Sequence, residues 1–237
     1  CCRYPTKLEN GMKVLCFTNI KDSISVKQIL LDNGCDILDI ITTKDNLKNL
    51  YETASQADII LSYCYRSLIP DYLLDLPKLG AVNFHPAPLP EYRGFAVYNF
   101  AILNNEKSWG VTCHHMDKKF DTGDIIFTNS MDIDPLKHTA FSLRKISRQM
   151  LKQALKDFLK NPREFIKVRK INETNKGKHY SRGMFNNMRE INDNDNEETI
   201  NRKIRAFWCP PHEGAYITKN NHKYMLVDHT ILDTLGE

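Results

Sequence analysis

Short apolar runs alternate with helical segments through the first 85 residues, and this alternation constrains the fold more than any other feature of the chain. Each apolar run is short enough for one buried strand, whereas the segments between them space their apolar residues as a helix does. The pattern predicts strands at 14–18, 36–42, 58–65 and 81–84, with helices at 23–33, 44–57 and 70–76. Strands that alternate with helices pair in parallel, so we predict an α/β fold with a Rossmann-like, mostly parallel sheet.

The remainder of the chain is less regular. Further helices are predicted at 98–103, 139–160 and 199–206, and further strands at 109–116 and 124–132. Apolar segments at 214–217 and 224–227 flank a polar turn, which predicts a β-hairpin. We therefore expect a main domain at 12–168 and a small C-terminal appendage, with a helix and the hairpin, at 169–237. Segment 1–11 joins no apolar pattern, and we expect it to lie outside the folded core.

Composition excludes several classes of protein. With Lys+Arg 33 and Asp+Glu 29, the 237-residue chain carries a net charge of +4, too small by itself to indicate a nucleic-acid partner. No apolar run approaches the ~18–20 residues of a spanning helix, so we expect no membrane insertion and a cytoplasmic location. The seven cysteines form no C-x-x-C pair, which predicts neither a disulfide framework nor a zinc site.

Glycine-rich phosphate loops are missing after the first predicted strand. Asn19-Ile20-Lys21-Asp22 stands there, with no G-x-G-x-x-G and no G-x-x-x-x-G-K-[S/T] motif. Such loops bring backbone N–H groups against a phosphate, so their absence argues against dinucleotide binding and P-loop chemistry.

Candidate catalytic residues follow the fourth predicted strand, at the edge where a parallel sheet places its working groups. Asn83 and His85 are two residues apart on extended chain, so their side chains point to the same side. An amide and an imidazole placed together form a donor pair for a developing oxyanion. Asp121 opens the D-T-G-D turn at 121–124, where its carboxylate can orient His85 or accept a proton from an amine.

Each of these short patterns also fits a structural role. The N-x-H pattern fits a polar strand end with a surface histidine, and Asp121 fits an Asx turn. Arg93 follows the proline-rich segment after the fourth strand. Binding of a phosphate group and a place on the solvated surface fit this residue equally well. His114 and His115 are neighbours on a predicted strand and face opposite sides, so we expect no metal site there.

The segment from 81 to 94 resembles a known family signature. Its sequence A-V-N-F-H-P-A-P-L-P-E-Y-R-G is similar to the N-x-H-P-S-L-L-P-x-Y-R-G motif of 10-formyltetrahydrofolate-dependent formyltransferases. Matching pieces follow in order at 101–106, 110–112 and 120–126. The resemblance covers about residues 58–130 and implies the formyltransferase fold. Ala87-Pro88 stands where the family commonly has Ser-Leu, a difference that does not touch the candidate catalytic residues.

The resemblance implies a reaction and a co-substrate. In such an enzyme an amine attacks the formyl carbon of N10-formyltetrahydrofolate, without a metal. Asn83 and His85 match the family residues that stabilise the oxyanion, and Asp121 matches the residue that holds the histidine and carries protons. The folate is implied to lie along the end of the third strand and the loop that leads to Asp121. Its implied contacts are Ser62, Tyr63, Tyr65, Asp117, Lys118 and Asp121.

Three branches of this family differ in the amine that they formylate. Glycinamide ribonucleotide transformylases carry a glycine-rich loop after the first strand, which this chain lacks. Methionyl-tRNA formyltransferases carry a further barrel domain, for which region 169–237 is too short. Sugar N-formyltransferases are similar in size and act on nucleotide-linked amino sugars for surface polysaccharides such as O-antigen. We therefore expect this third activity, with a dTDP-linked 3-amino- or 4-amino-dideoxyhexose as the partner and no nucleic acid.

In the sugar branch the implied contacts to the nucleotide sugar are aromatic and basic side chains. They are Tyr92, Arg93, Tyr180, Arg182, Phe207 and Trp208. Phe207 and Trp208 fit stacking on the base and plain packing of the C-terminal region alike. The apolar edge strands of the hairpin favour a homodimer. Three alternatives stay open: a methionyl-tRNA formyltransferase-like enzyme without its barrel, a binding module for folate or nucleotide sugars, and a deformylase-like enzyme.

Overall fold

The computed structural model of this protein describes residues 11–45 and 47–233. Its strands are β1 (Lys13–Thr18), β2 (Asp36–Ile41), β3 (Ile59–Tyr63), β4 (Ala81–His85), β5 (Tyr92–Gly94), β6 (Ser108–His115), β7 (Ile125–Asp132), β8 (Lys178–Tyr180), β9 (Tyr216–Lys219) and β10 (His222–Met225). Six of them form one sheet in the order β2-β1-β3-β4-β6-β7. The pairs among β1 to β4 are parallel, whereas β6 pairs antiparallel with both β4 and β7.

Helices flank this sheet and build the C-terminal part of the chain. They are α1 (Ile20–Asp32), α2 (Tyr51–Gln56), α3 (Asp71–Leu74), α4 (Val97–Leu103), α5 (Ala140–Lys160), α6 (Pro162–Phe165), α7 (Arg182–Asn187), α8 (Glu197–Phe207) and α9 (His229–Asp233). Asn19 caps α1, where its side chain accepts hydrogen bonds from the backbone N–H groups of Lys21 and Asp22. Thr139 and Ser142 form a capping box at the start of α5. The predicted α/β architecture with a mostly parallel sheet is confirmed.

The central strands are buried because helices cover both faces of the sheet. On one face, apolar residues of α1 and α5 pack against alternate residues of the strands, among them Ile59 and Phe84. On the other face, α2 and α3 cover the intervening residues, among them Phe17 and Ile60. The strands are therefore apolar along their length, which is the pattern that made them recognisable in the sequence.

A second hydrophobic core joins the C-terminal part of the chain to the sheet. Trp109 of β6 and Phe100 of α4 lie in it with Tyr180, Ile204 and Phe207. Helix α8 packs on α4 and α5. The division at residue 168 stays a prediction, and segment 1–11 lies, apart from its last residue, outside the described residues.

Several elements differ from their predictions. The predicted helix at 44–57 begins as a 3₁₀ turn at Leu47–Leu50 and becomes α-helical only in α2. The hairpin turn is tighter than predicted, since Asn220 and Asn221 alone connect β9 to β10 with φ of 48° and 64°. Asparagine tolerates this left-handed backbone better than most residues. The β5–β8 pair joins segments far apart in the chain and had no local sequence signal.

The strand register places three polar residues side by side across the sheet. Ser62 of β3 pairs with Asn83 of β4, which pairs in turn with His114 of β6. All three lie towards the carboxyl ends of the parallel strands or directly opposite them, where an open α/β sheet binds its ligands. Across residues 11–45 and 47–233, no helix has both the length and the apolar character needed to cross a membrane.

Candidate active site

A cavity of about 1070 Å³ opens at this edge of the sheet. The ends of β3 and β4, the loop before β7 and the starts of α4 and α7 contribute to its walls. Asn83, His85 and Asp121, the three predicted catalytic residues, all line it. No group of three or more His, Cys, Asp or Glu side chains in the described part of the chain is placed to hold a metal ion.

The amide of Asn83 is held by a neutral histidine on the next strand. Its Nδ2 lies 3.0 Å from Nε2 of His114. Nδ1 of His114 lies 2.6 Å from the carbonyl oxygen of His115, which can only accept, so Nδ1 carries the hydrogen and Nε2 accepts from Asn83. Burial lowers the pKa of His114 to about 4, against the opposing effect of Asp121, which keeps the ring neutral. One N–H of the Asn83 amide is thereby fixed, which leaves the second for a ligand in the cavity that Asn83 lines.

His85 is held at both ring nitrogens. Nε2 lies 2.8 Å from the carbonyl oxygen of Tyr92, and Nδ1 lies 3.3 Å from Oδ1 of Asp121. Because the carbonyl takes the Nε2 hydrogen, the contact between Nδ1 and the carboxylate attracts only when a proton lies between them. A proton held between Nδ1 and Oδ1 would join His85 and Asp121 into one buried unit for proton transfer.

The loop that carries Asp121 is shaped by contacts from other parts of the chain. Asp121 has a φ of 57°, and its Oδ2 accepts a hydrogen bond of 3.2 Å from the backbone N–H of Gly94. Asn172, from beyond β7, donates to the carbonyl oxygens of Asp121 and Gly123 at 3.1 and 3.0 Å. A Cβ at Gly123 would overlap the carbonyl oxygen of His115, so only glycine fits the turn.

Unusual backbone conformations concentrate at the cavity. Cys64, Ala96 and Asp121 all have left-handed φ values, of 51°, 56° and 57°, and all three line it. Such conformations are costly for residues with a Cβ and persist where surrounding contacts impose them, often at functional sites. Burial raises the pKa of the Cys64 thiol to about 12, so this cysteine is no nucleophile at neutral pH.

The structure divides the predicted folate contacts into two groups. Ser62, Tyr65, Asp117 and Asp121 line the cavity. Tyr63 is buried in the sheet and does not line it. Lys118 also lies outside the lining and pairs with Asp71 on the surface, at 3.5 Å.

The predicted nucleotide-sugar contacts divide in the same way. Tyr180, Arg182 and Phe207 line the cavity, whereas Tyr92, Arg93 and Trp208 do not. The hydroxyl groups of Tyr92 and Tyr180 both accept from the side chain of Asn104, at 2.8 and 2.9 Å, in a network away from Asn83.

Arg93 has partners of its own. Its guanidinium donates to the carbonyl oxygen of Thr174 at 2.8 Å, which ties the β5 segment to the chain beyond β7. A substrate role for this side chain stays a prediction.

Sequence reasoning missed several residues that shape the cavity. Phe95 is 38% exposed, with the guanidinium of Arg182 4.9 Å from its ring centroid, so the two offer a flat face to the cavity. Arg144 and Arg148 of α5 also line the cavity. Their spacing of four residues puts both on one helix face, but only the packing of α5 shows that this face meets the cavity.

A model of the family described as Formyl transferase matches residues 39–159, just over half of the 237-residue chain. The chain belongs to this family. The matched range holds Asn83, His85 and Asp121 together with β3, β4 and β6, which position them. The resemblance read from the sequence motif is thereby confirmed at the level of the family.

Curated relatives of this formyl transferase chain fall into more than one branch. A GDP-perosamine N-formyltransferase of Brucella melitensis is 42% identical over 115 residues, which cover 47% of this chain and 44% of that protein. A methionyl-tRNA formyltransferase of Caldanaerobacter subterraneus is 34% identical over 135 residues, which cover 55% of this chain and 44% of that protein. The chain thus spans less than half the length of these two relatives.

Solved structures share the fold. A 4-N formyltransferase from Francisella tularensis superposes with a TM-score of 0.79 at 20% identity, covering 92% of this chain and 97% of that one. The N-formyltransferase of Helicobacter canadensis, in complex with folinic acid and dTDP-3-aminofucose, superposes with a TM-score of 0.72 at 20% identity, covering 90% and 86%. These likenesses confirm the formyltransferase fold.

Proposed function

We propose that the protein transfers a formyl group from N10-formyltetrahydrofolate to the amino group of a nucleotide-linked amino-dideoxy sugar. The observation that carries the proposal is the meeting of Asn83, His85 and Asp121 in one cavity. Its volume of about 1070 Å³ is at the upper end for a single ligand, as a site for two substrates requires. The sugar N-formyltransferases among the structural neighbours and the Brucella relative support the choice of a sugar amine.

The chemistry begins when the amine lone pair attacks the formyl carbon and the carbonyl electron pair moves to oxygen. The second N–H of Asn83, oriented by the bond to His114, is placed to donate to this oxyanion. The attacking nitrogen must lose a proton and N10 of the folate must gain one before the C–N10 bond breaks. His85 and Asp121, with Nδ1 and Oδ1 3.3 Å apart, supply the acceptor and then the donor.

This assignment refines the roles implied by the sequence resemblance. In the roles implied by the resemblance, Asn83 and His85 both donate to the oxyanion. Because both ring nitrogens of His85 have protein partners, at 2.8 and 3.3 Å, the ring would have to give up one of them to donate. We therefore assign oxyanion stabilisation mainly to Asn83 and proton transfer to His85 with Asp121.

The folate is proposed to bind against the end of β3 and the loop before Asp121. Ser62, Tyr65 and Asp117 line the cavity there and offer hydroxyl and carboxylate groups to a pterin edge. The Helicobacter neighbour was solved with folinic acid, which supports a folate-type ligand for this fold.

For the acceptor we propose a dTDP-linked 3-amino- or 4-amino-dideoxyhexose, made for a surface polysaccharide such as O-antigen. The dTDP-3-aminofucose in the Helicobacter complex supports dTDP as the nucleotide. The Brucella relative is named for GDP-perosamine, so GDP is the second nucleotide to test.

Methionyl-tRNA is a second candidate acceptor, because a methionyl-tRNA formyltransferase is among the relatives. The net charge of +4 is small for a tRNA-binding surface, and this favours the sugar. A pure binding module would have little use for a proton-sharing pair beside an oriented amide, which favours an enzyme.

The decisive experiment offers the purified protein N10-formyltetrahydrofolate with dTDP-, GDP- and UDP-linked amino sugars, with methionyl-tRNA, or with no acceptor. We expect tetrahydrofolate release and a product heavier by one formyl group only with an amino sugar, and fastest with a dTDP-linked one. Formylation of methionyl-tRNA alone would overturn the sugar assignment. Release of formate without any acceptor would indicate a deformylase instead.

A further inference from the structure

Three arginines converge on one wall of the cavity, near the end of β3. Arg66 follows β3, and Arg144 and Arg148 are one turn apart on α5. All three line the cavity together with Asn19 and Cys64. Each guanidinium also acts electrostatically on the Cys64 thiol, which places all three around that residue. We call Arg66, Arg144 and Arg148 the arginine wall.

The arginine wall carries an excess of positive charge. Arg148 is paired with the buried carboxylate of Asp22, and its Nε is buried without a hydrogen-bond partner. Within residues 11–45 and 47–233, the one hydrogen-bond partner of the Arg144 guanidinium is Sγ of Cys209, at 3.8 Å. Arg66 is exposed and has no carboxylate partner among the described residues. Three positive charges against one negative charge leave a surplus of two, which the cavity presents to a ligand.

The backbone of Cys64, around which the arginine wall lies, is about one sugar ring away from that of Asn83. Ser62 pairs with Asn83 on the adjacent strand, and Cys64 lies two residues beyond Ser62. One strand spacing and two residues of extended chain separate Cys64 from Asn83 by about 8 Å. A hexose with an amine at one side and a phosphate ester at C1 spans such a gap.

We propose that the arginine wall binds the diphosphate of the nucleotide sugar and so directs its amine towards Asn83 and the shared proton. The inference rests on the function proposed above and deepens it. The diphosphate of a nucleotide sugar, esterified at both ends, carries two negative charges, which the wall's surplus matches, and guanidinium forks bind phosphate oxygens in pairs. This assigns the diphosphate to residues other than Arg93, which was one of the contacts implied by the resemblance and which does not line the cavity.

Binding measurements test the arginine wall without any need for turnover. We would titrate dTDP, GDP and the nucleoside thymidine into wild-type protein, Arg144→Gln and Arg66→Gln by calorimetry. Lys145→Gln, on the same helix but exposed, is the matched control for the loss of one positive charge. We expect each arginine variant to bind the nucleoside diphosphates at least about tenfold more weakly, with thymidine binding and the control unchanged.

Arg148 is tested by a substitution that keeps its positive charge, because removing the charge would leave Asp22 buried and unpaired. Arg148→Lys keeps the pair but loses the planar fork, and we expect it to weaken dTDP binding while the protein stays folded. Unchanged dTDP affinity in all three variants would overturn the proposal.

A second arm separates the diphosphate from the glutamate carboxylates of the folate, which share its negative charge. The affinity for folinic acid should be unaffected in Arg144→Gln and Arg66→Gln. If folinic acid loses affinity and dTDP does not, the wall binds the folate tail and our inference is wrong. If no amino sugar is formylated but dTDP binding still depends on the wall, the proposed function fails while the diphosphate site stands.

Discussion

Nε2 of His114 accepts a hydrogen bond of 3.0 Å from the side-chain amide of Asn83, one strand away. The bond exists only while the ring is neutral, because a protonated Nε2 would face the amide donor with a second donor. Burial keeps the ring neutral by lowering the pKa of His114 to about 4. A buried histidine that lines the cavity beside Asn83 thus fixes one N–H of the candidate oxyanion donor.

The oxyanion role of Asn83 is tested by Asn83→Ala. Removing one oxyanion donor typically costs about 10²–10³-fold in turnover, and we expect that loss in kcat for formyl transfer. The matched control is Asn129→Ala on the exposed part of β7, which should leave kcat unchanged. Thermal unfolding of both variants checks that they fold. A fully active Asn83→Ala enzyme would exclude the proposed mechanism.

The shared proton is tested by Asp121→Asn. The amide oxygen can still accept from Gly94, but the side chain can no longer share a proton with His85. We expect kcat to fall by about 10²–10⁴-fold, as for the loss of a general base, with little change in the affinity for dTDP. Single-turnover kinetics with saturating substrates measure this step. Equal losses in kcat and in dTDP affinity would assign Asp121 to binding instead.

His114 should make stability depend on pH in a defined window. Its pKa is lowered from 6.5 to about 4, so the unfolded chain binds the proton more readily than the folded one. The stabilisation is therefore complete above about pH 6.5 and is lost as the pH falls towards 4, by at most about 3 kcal/mol. His114→Gln keeps an acceptor for Asn83 but does not titrate, so its urea-unfolding free energy should vary less across this window. The matched control His222→Gln, on the exposed hairpin, should keep the wild-type slope.

We expect Phe95 to contribute to binding of the nucleotide sugar and Phe207 to contribute to the stability of the fold. Phe95 is 38% exposed at the cavity, whereas Phe207 is 1% exposed and packs on Phe185 with ring centroids 5.2 Å apart. We expect Phe95→Ala to raise KM for the nucleotide sugar by about tenfold, as for the loss of one stacked base, with little effect on stability. Phe207→Leu should lower stability by about 1 kcal/mol and leave KM unchanged. The reverse result would support base stacking by Phe207, one of the two roles that the sequence left open.

The homodimer expected from the sequence is tested at the hairpin. Tyr224 is 52% exposed on β10, a strand that pairs only with β9 among the described residues. If two hairpins associate, Tyr224→Lys should convert a dimer into a monomer in light scattering after gel filtration. Tyr51→Lys, which alters a tyrosine 56% exposed on α2, should not. A monomeric wild-type protein would contradict the expectation directly.

Most strands of the sheet, and part of the arrangement of the candidate catalytic residues, could be predicted from local sequence patterns. Buried parallel strands are apolar on both faces, so β1, β3 and β4 were visible as short runs. Asn83 and His85 lie two apart on one strand, and their shared side follows from strand geometry alone. The short β5–β8 pair had no such signal, because its partners lie more than eighty residues apart and neither is apolar throughout.

The amino-acid sequence by itself determined the α/β class, the family motif and the side of β4 that carries Asn83 and His85. Only the tertiary structure decided which residues contact Asn83 and His85. The partnership with His114 depends on the β4–β6 register, and the arginine wall depends on how α5 packs against β4 and β6. It also decided that the Tyr92 hydroxyl bonds to the side chain of Asn104 and does not line the cavity. These contacts join segments that lie far apart in the chain. Their geometry is set by packing and strand pairing, which local residue patterns do not specify.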